Sequence, residues 1–187
     1  MAGIVGFAGS FSQPSRTRSL VQAAVDDAAH RAGLRGLVFD LGDLGASLGT
    51  AKRIADLGQD ARKLVESLLA ADAIVVGSPV YKGSYTGLFK HLFDLIDPEA
   101  LRGKPVLLTA TGGGHRHALV IEHQLRPLFG FFESAVVPTG VYAASADLEG
   151  GVVTSPEIVT RLTTAVGQLV GALKANKEVA RPVSTAA

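Results

Sequence analysis

Cysteine is absent from this chain of 187 residues. That removes disulfide frameworks, thiolate nucleophiles, cysteine-ligated zinc and iron–sulfur clusters together. Any redox chemistry must therefore come from a bound organic cofactor. A charge excess is also missing: 18 Lys and Arg against 17 Asp and Glu leave +1, too little to build the field that a nucleic-acid or acidic-membrane binder needs. Neither partner is expected. Although the mean hydropathy is positive, no apolar run reaches the ~18 to 20 residues needed to span a bilayer. The opening apolar run, Gly3 to Ala8, has no basic region before it and no small-residue cleavage site after it, which gives no sign of a secretory signal. A cytoplasmic location is the expectation, and the apolarity is read as a sheet covered on both faces together with a buried subunit interface.

What is present is an alternation of two periodicities. Strand-like runs at Gly3–Ala8, Gly36–Leu41, Ala73–Ser78, Pro105–Ala110 and Val136–Tyr142 alternate with helical patterns at Arg18–Ala32, Gln59–Ala71, Thr86–Ile96, Ala118–Glu133 and Ser155–Ala175. Runs such as Ala73-Ile74-Val75-Val76-Gly77 are apolar without a break, as in a parallel sheet buried under its own crossover helices. Strict β-α alternation predicts an α/β doubly wound sheet. Ser155-Pro156-Glu157 reads as a cap followed by proline at the first helical position, and Gly33 and Gly103 fall where the chain must turn. One domain is expected over residues 1–178, with residues 179–187 as a flexible tail. The glycine-rich segment Gly42–Gly58 reads as a long loop, of the kind that is often functional or mobile.

Open α/β sheets bind ligands beyond the carboxyl ends of their strands, near the point where strand order reverses. After strand one comes Gly9-Ser10-Phe11-Ser12-Gln13-Pro14-Ser15-Arg16-Thr17-Arg18, leading into a helix. A helix N-terminus offers unpaired N–H groups and a positive dipole end, to which Ser, Thr and Arg add directed donors. Ser10, Ser12, Arg16 and Thr17, with Arg18 beside them, are the candidate phosphate ligands; the same residue types are also ordinary helix caps. The loop lacks both Gly-x-Gly-x-x-Gly and the Walker lysine pattern, so a monophosphate suits it better than a dinucleotide or triphosphate. After strand three comes Pro79-Val80-Tyr81-Lys82-Gly83-Ser84, and after strand four Thr111-Gly112-Gly113-Gly114-His115-Arg116-His117. Such backbone-accessible loops can read the edge of a flat flavin ring while one face stays open to a nicotinamide. Each loop alone is equally a turn or a packing contact; their convergence at one sheet end favours a flavin site. His115 and His117 lack the carboxylate or thiol partners of a metal site, and no metal is expected.

Gly9-Ser10 with Ser15-Arg16 and Leu20, the run Ser78-Pro79-Val80-Tyr81-Lys82 with Gly87, Ala110-Thr111-Gly112-Gly113, and Arg126-Pro127 resemble the NAD(P)H-dependent FMN reductases of two-component sulfonate monooxygenase systems. The resemblance runs from Ile4 to about Leu173. It implies a flavodoxin-like fold with a five-stranded parallel sheet in the order 2-1-3-4-5, FMN with NADH or NADPH as cofactors, and a homotetramer or dimer. It further implies that reduced FMN passes to a flavin-dependent monooxygenase. Where many relatives carry Arg in the phosphate loop this chain has Ser12, and Arg16 or Arg18 is expected to compensate. The resemblance also marks His123 as the site of a π-bulge at a subunit interface. Hydride transfer to flavin needs placement and charge stabilisation and no side-chain nucleophile, acid or base. A flavodoxin-like electron carrier and an FMN-bound quinone or azo reductase are the alternatives. A basic residue for the nucleotide's 2′-phosphate is available at Lys52, Arg53, Lys82 or Arg116.

Overall fold

The computed structural model describes residues 3–179. Strand β1 (Ile4–Ala8) is buried along its whole length, which follows from its central place in the sheet. It pairs in parallel with β2 (Gly36–Asp40) on one side and β3 (Ala73–Pro79) on the other. β3 pairs with β4 (Pro105–Gly112), and the outer edge of β4 carries both β5 (Ala135–Val136) and β6 (Val141–Ala144), again parallel. The order is therefore 2-1-3-4-5 as expected, with the fifth strand in two pieces. Successive strand residues face opposite layers. Ile4 and Ala8 meet α1 (Arg16–Ala32) and α6 (Pro156–Val179), whereas Val5 and Phe7 meet the layer built by α2 (Leu41–Leu44), α3 (Gln59–Leu69), α4 (Gly87–Asp94) and α5 (Arg126–Phe131). Phe7, Phe89, Phe93 and Phe129 stack in series across that second layer, with neighbouring ring centroids 4.9–5.5 Å apart.

Two glycines set how closely α1 approaches the sheet. A Cβ at Gly6 would lie 2.6 Å from Val21, and one at Gly77 would lie equally close to the same side chain. With hydrogen there, the N-terminal half of α1 sits directly over β1 and β3. Ser15 caps the helix by accepting from the Arg18 N–H, and Gly33 closes it at φ 62°, the left-handed conformation that glycine adopts without strain. Gly103 likewise turns the chain at φ 66°, and α6 begins at Pro156 as anticipated.

Two expectations need correction. The fifth strand, read as Val136–Tyr142 without a break, is interrupted: six residue steps from Ala135 to Val141 face four from Pro105 to Thr109. Pro138 has no N–H for the ladder, and a Cβ at Gly140 would lie 2.5 Å from Ile121, so the chain bulges there around an inserted side chain. The segment 42–58, read as a loop, instead forms most of α2 and two short 3₁₀ turns that bury Leu44, Leu48 and Leu57. The helix at Ala118–Glu133, for which the resemblance marks a π-bulge at His123, carries a π-helical turn over Ile121–Leu125 that includes His123, and the Arg126 N–H donates to the carbonyl of Ile121, five residues back. Pro127, which has no N–H to donate, follows that turn in the first turn of α5.

Beyond β6 the chain forms a small antiparallel hairpin, β7 (Leu148–Glu149) and β8 (Val152–Val153), turned by Gly150 and Gly151 at positive φ. No helix among the described residues is long and apolar enough to cross a membrane. Apart from Val179, which ends α6, the expected tail lies outside the described residues.

Candidate active site

The loop after β1 is fixed at its base by short backbone bonds, Gly9 N–H to Gly77 O at 2.7 Å and Ser10 N–H to Ala8 O at 2.8 Å. The buried Ser10 hydroxyl then accepts from the Ser12 N–H at 3.2 Å. Because Ser15 takes the Arg18 N–H, the N–H groups of Arg16 and Thr17 remain without protein acceptors among the described residues. No acidic residue stands in this first turn. An anion placed here meets free donors and the positive end of a helix of 17 residues. The exposed Arg16 guanidinium donates to Ser145 Oγ at 2.5 Å, and the Thr17 hydroxyl, which is buried, shares a 2.7 Å hydrogen bond with Thr111.

The other two loops are tied to the first. The Thr86 N–H donates to the Ser78 hydroxyl and the Thr86 hydroxyl donates to Gly9 O at 3.0 Å, so β3 and β1 end in one hydrogen-bonded layer. Val80 N–H donates to Thr111 O at 2.8 Å. Tyr81 and Ser84 then exchange backbone bonds around Lys82 and Gly83, at φ 53° and 85°. Positive φ at both central positions makes a type I′ turn, and it leaves Tyr81 56 % exposed at the rim. Past β4, a Cβ at Gly112 would lie 2.1 Å from the Tyr142 hydroxyl, so only glycine fits. The N–H groups of Gly113 and Gly114 have no protein acceptor among the described residues.

Together these loops enclose a cleft of about 690 Å³. Ser10, Ser12, Arg16, Thr17, Pro79, Val80, Tyr81, Thr111, Gly112 and Gly113 all line it. Five expected residues do not. Arg18 turns to the other side of α1, 2.7 Å from Asp40 and 2.5 Å from Asp43, with a further bond to Val38 O. Burial works against its charge, but the hydrogen bonds to both carboxylates outweigh that and raise its pKa. Lys82 and Gly83 form the turn tip, Ser84 donates to Gln124 on the π-helical turn at 3.0 Å, and Gly114 lies just behind the lining, its carbonyl accepting from Tyr142. The cleft also includes Ser15, Ser19, Ser145, Leu148, Gly150 and Gly151, which sequence reading missed. Ser145 follows β6 directly, so inspecting the loop after strand five as well as those after strands one, three and four would have found it. A hollow of similar size lies at the opposite, amino-terminal end of the strands, beside Arg35, Leu37 and Lys63; it contains none of these loops.

A family model described as NADPH-dependent FMN reductase matches residues 2–149. The chain belongs to this family. Among its relatives, the NADH-dependent FMN reductase SfnF of Pseudomonas fluorescens is 43 % identical over 162 residues, 87 % of each chain. An FMN reductase (NADPH) of Pseudomonas aeruginosa is equally identical over the same share. A solved NADH:FMN oxidoreductase (EMOB), in its apo form, superposes with a TM-score of 0.84 at 27 % identity and full coverage of both chains. The donor set of the cleft fits FMN. Free N–H groups, serine hydroxyls and Arg16 suit a terminal phosphate, and the free amides of Gly113 and Gly114 with the apolar Pro79-Val80 edge suit a flat ring bearing polar atoms on one side. The family's reductases are oxidoreductases that use FMN with a nicotinamide nucleotide, and this chain is one of them.

Proposed function

We propose that this chain reduces free FMN with a nicotinamide nucleotide and releases reduced FMN to a flavin-dependent monooxygenase that acts on a sulfonate. The observation that carries the reading is the convergence of unpaired N–H donors at both ends of one cleft, at the α1 N-terminus and at Gly113–Gly114. FMN, when bound, supplies the hydride-accepting ring nitrogen. The chain's own residues supply placement. Ser10, Ser12 and Arg16 with the first amides of α1 hold the phosphate, Pro79 and Val80 border the ring, and the Gly113 and Gly114 amides meet its polar edge. Donors already fixed at that edge stabilise negative charge as it develops, without reorganisation during the reaction. No side chain is assigned as acid, base or nucleophile.

Two of the phosphate donors of this cleft, Ser12 and Arg16, are open to solvent, which supports a flavin that exchanges. Assembly into a homotetramer or dimer is part of the same reading. Phe131, at the end of α5, is 67 % exposed, and with the exposed His123 it lines a groove that also includes Tyr85, Phe93 and Gln124. A second copy would cover that apolar face. A cytoplasmic location accompanies it. The test is anaerobic steady-state oxidation of NADH and NADPH with FMN, FAD, a quinone or an azo dye as acceptor. Turnover that depends on the concentration of free FMN is expected. Absence of flavin-dependent oxidation refutes the reading, and turnover of quinone or azo dye at constant bound flavin reassigns the acceptor.

A further inference from the structure

Tyr142 stands on β6, opposite Ala110 of β4, and its ring is buried among the residues of the α4–α5 layer. Its hydroxyl reaches past the end of β4 and donates to the carbonyl of Gly114 at 2.6 Å. The same hydroxyl occupies the space beside Gly112 in which a Cβ would stand at 2.1 Å. Among the described residues it is the only side chain that hydrogen-bonds the backbone of residues 113–116. One residue group further along, Ser145 donates more weakly to Gly112 O at 3.3 Å. The carbonyls at both ends of the glycine run are thus held by residues of one strand end, and that end is itself fixed by the Ala144 N–H on Asp147 at 2.7 Å.

We infer that Tyr142 is a positioning residue for flavin reduction: its hydroxyl holds the Gly112–Gly114 run in the one shape that presents the Gly113 and Gly114 amides to the ring. The inference rests on the flavin reading given above. Three consecutive glycines have the largest backbone freedom of any tripeptide, so a donor array built from them must be tethered before it can be preorganised. Tyr142 is not among the residues that line the cleft and acts through the loop. Burial raises the phenol's pKa above its usual value, so the hydroxyl keeps its proton at neutral pH and remains a donor.

Tyr142→Phe removes the hydroxyl and keeps the ring. In the flavin-free protein, hydrogen exchange of peptides spanning 112–118 should quicken relative to the unmutated chain. The dissociation constants of FMN and of riboflavin should both rise by about fivefold, the effect of one hydrogen bond, because the tether serves the ring end and riboflavin differs only in lacking phosphate. Unchanged exchange, a loss confined to FMN, or a lowered thermal midpoint with unchanged affinities would each overturn the inference. Failure of the unmutated protein to oxidise nicotinamide nucleotide with FMN would sink the flavin reading itself, whereas normal turnover with an unaffected Tyr142→Phe variant sinks only this one.

Discussion

Arg16→Ala separates the two ends of the cleft. Arg16 is exposed, and among the described residues its guanidinium hydrogen-bonds Ser145 alone, so its loss removes little from the fold; surface changes of this kind stay within about 0.5 kcal/mol. A phosphate bound over the α1 N-terminus would take the guanidinium from Ser145. A charge-assisted hydrogen bond of this type contributes about 1.5 to 3 kcal/mol, and exposure places Arg16 at the lower end. At roughly 1.4 kcal/mol per factor of ten, the FMN dissociation constant should rise about tenfold or somewhat more. The free amides of Arg16 and Thr17 belong to the backbone and survive the substitution, so binding should weaken without vanishing. Quenching of flavin fluorescence on titration with protein gives both constants directly. Riboflavin, without phosphate, should bind the variant and the parent alike, and the difference for FMN should shrink as salt is raised and the exposed contact is screened. Equal weakening of FMN and riboflavin, or no weakening of either, would refute the placement of phosphate at α1.

Gly112→Ala should abolish most flavin binding and lower stability by about 1 to 3 kcal/mol, the usual range for overpacking, since the new Cβ overlaps the Tyr142 hydroxyl; titration calorimetry and thermal unfolding report the two losses. Asp43→Asn tests the Arg18 cluster. Burial opposes ionisation of Asp43, but hydrogen bonds from Arg18 and the Asp40 backbone lower its pKa overall, so the stability it adds is present above the ordinary carboxylate pKa and is lost as pH falls through its depressed value. The variant should be about 0.5 to 1 kcal/mol less stable at pH 7, the discount reflecting a carboxylate that is 41 % exposed. The gap should close as pH falls below the ordinary carboxylate pKa and through the depressed one, as followed by urea unfolding at each pH. A gap that is constant with pH would mean the ion pair contributes nothing.

How far the site was legible depended on range along the chain. The three loops could be found because each follows an uninterrupted apolar strand, and Ala73–Pro79 or Pro105–Gly112 can hardly be anything else. Arg16 and Arg18 could not be ranked without the position of the helix start. They lie two residues apart, about 200° around a helix, and with α1 beginning at Arg16 one reaches the cleft while the other reaches Asp40 and Asp43. The segment 42–58 misled because its glycines resemble a loop, while its leucines find a core only when α3 and α4 are in place.

The sequence by itself determined the parallel α/β sheet, the strand ends at which ligand must bind, and the absence of any thiol chemistry, since these follow from local periodicity and composition. Only the tertiary structure decided which side chains share the cleft and what holds its glycine loop. Ser145, the turn at Gly150–Gly151 and the hydroxyl of Tyr142 reach that loop or the phosphate end through the register of β6 on β4. That register follows from the bulge between β5 and β6, made by Pro138 and the packing of Ile121 against Gly140. Ile121 lies in the π-helical turn, so contacts far apart in sequence set a geometry that no local pattern records.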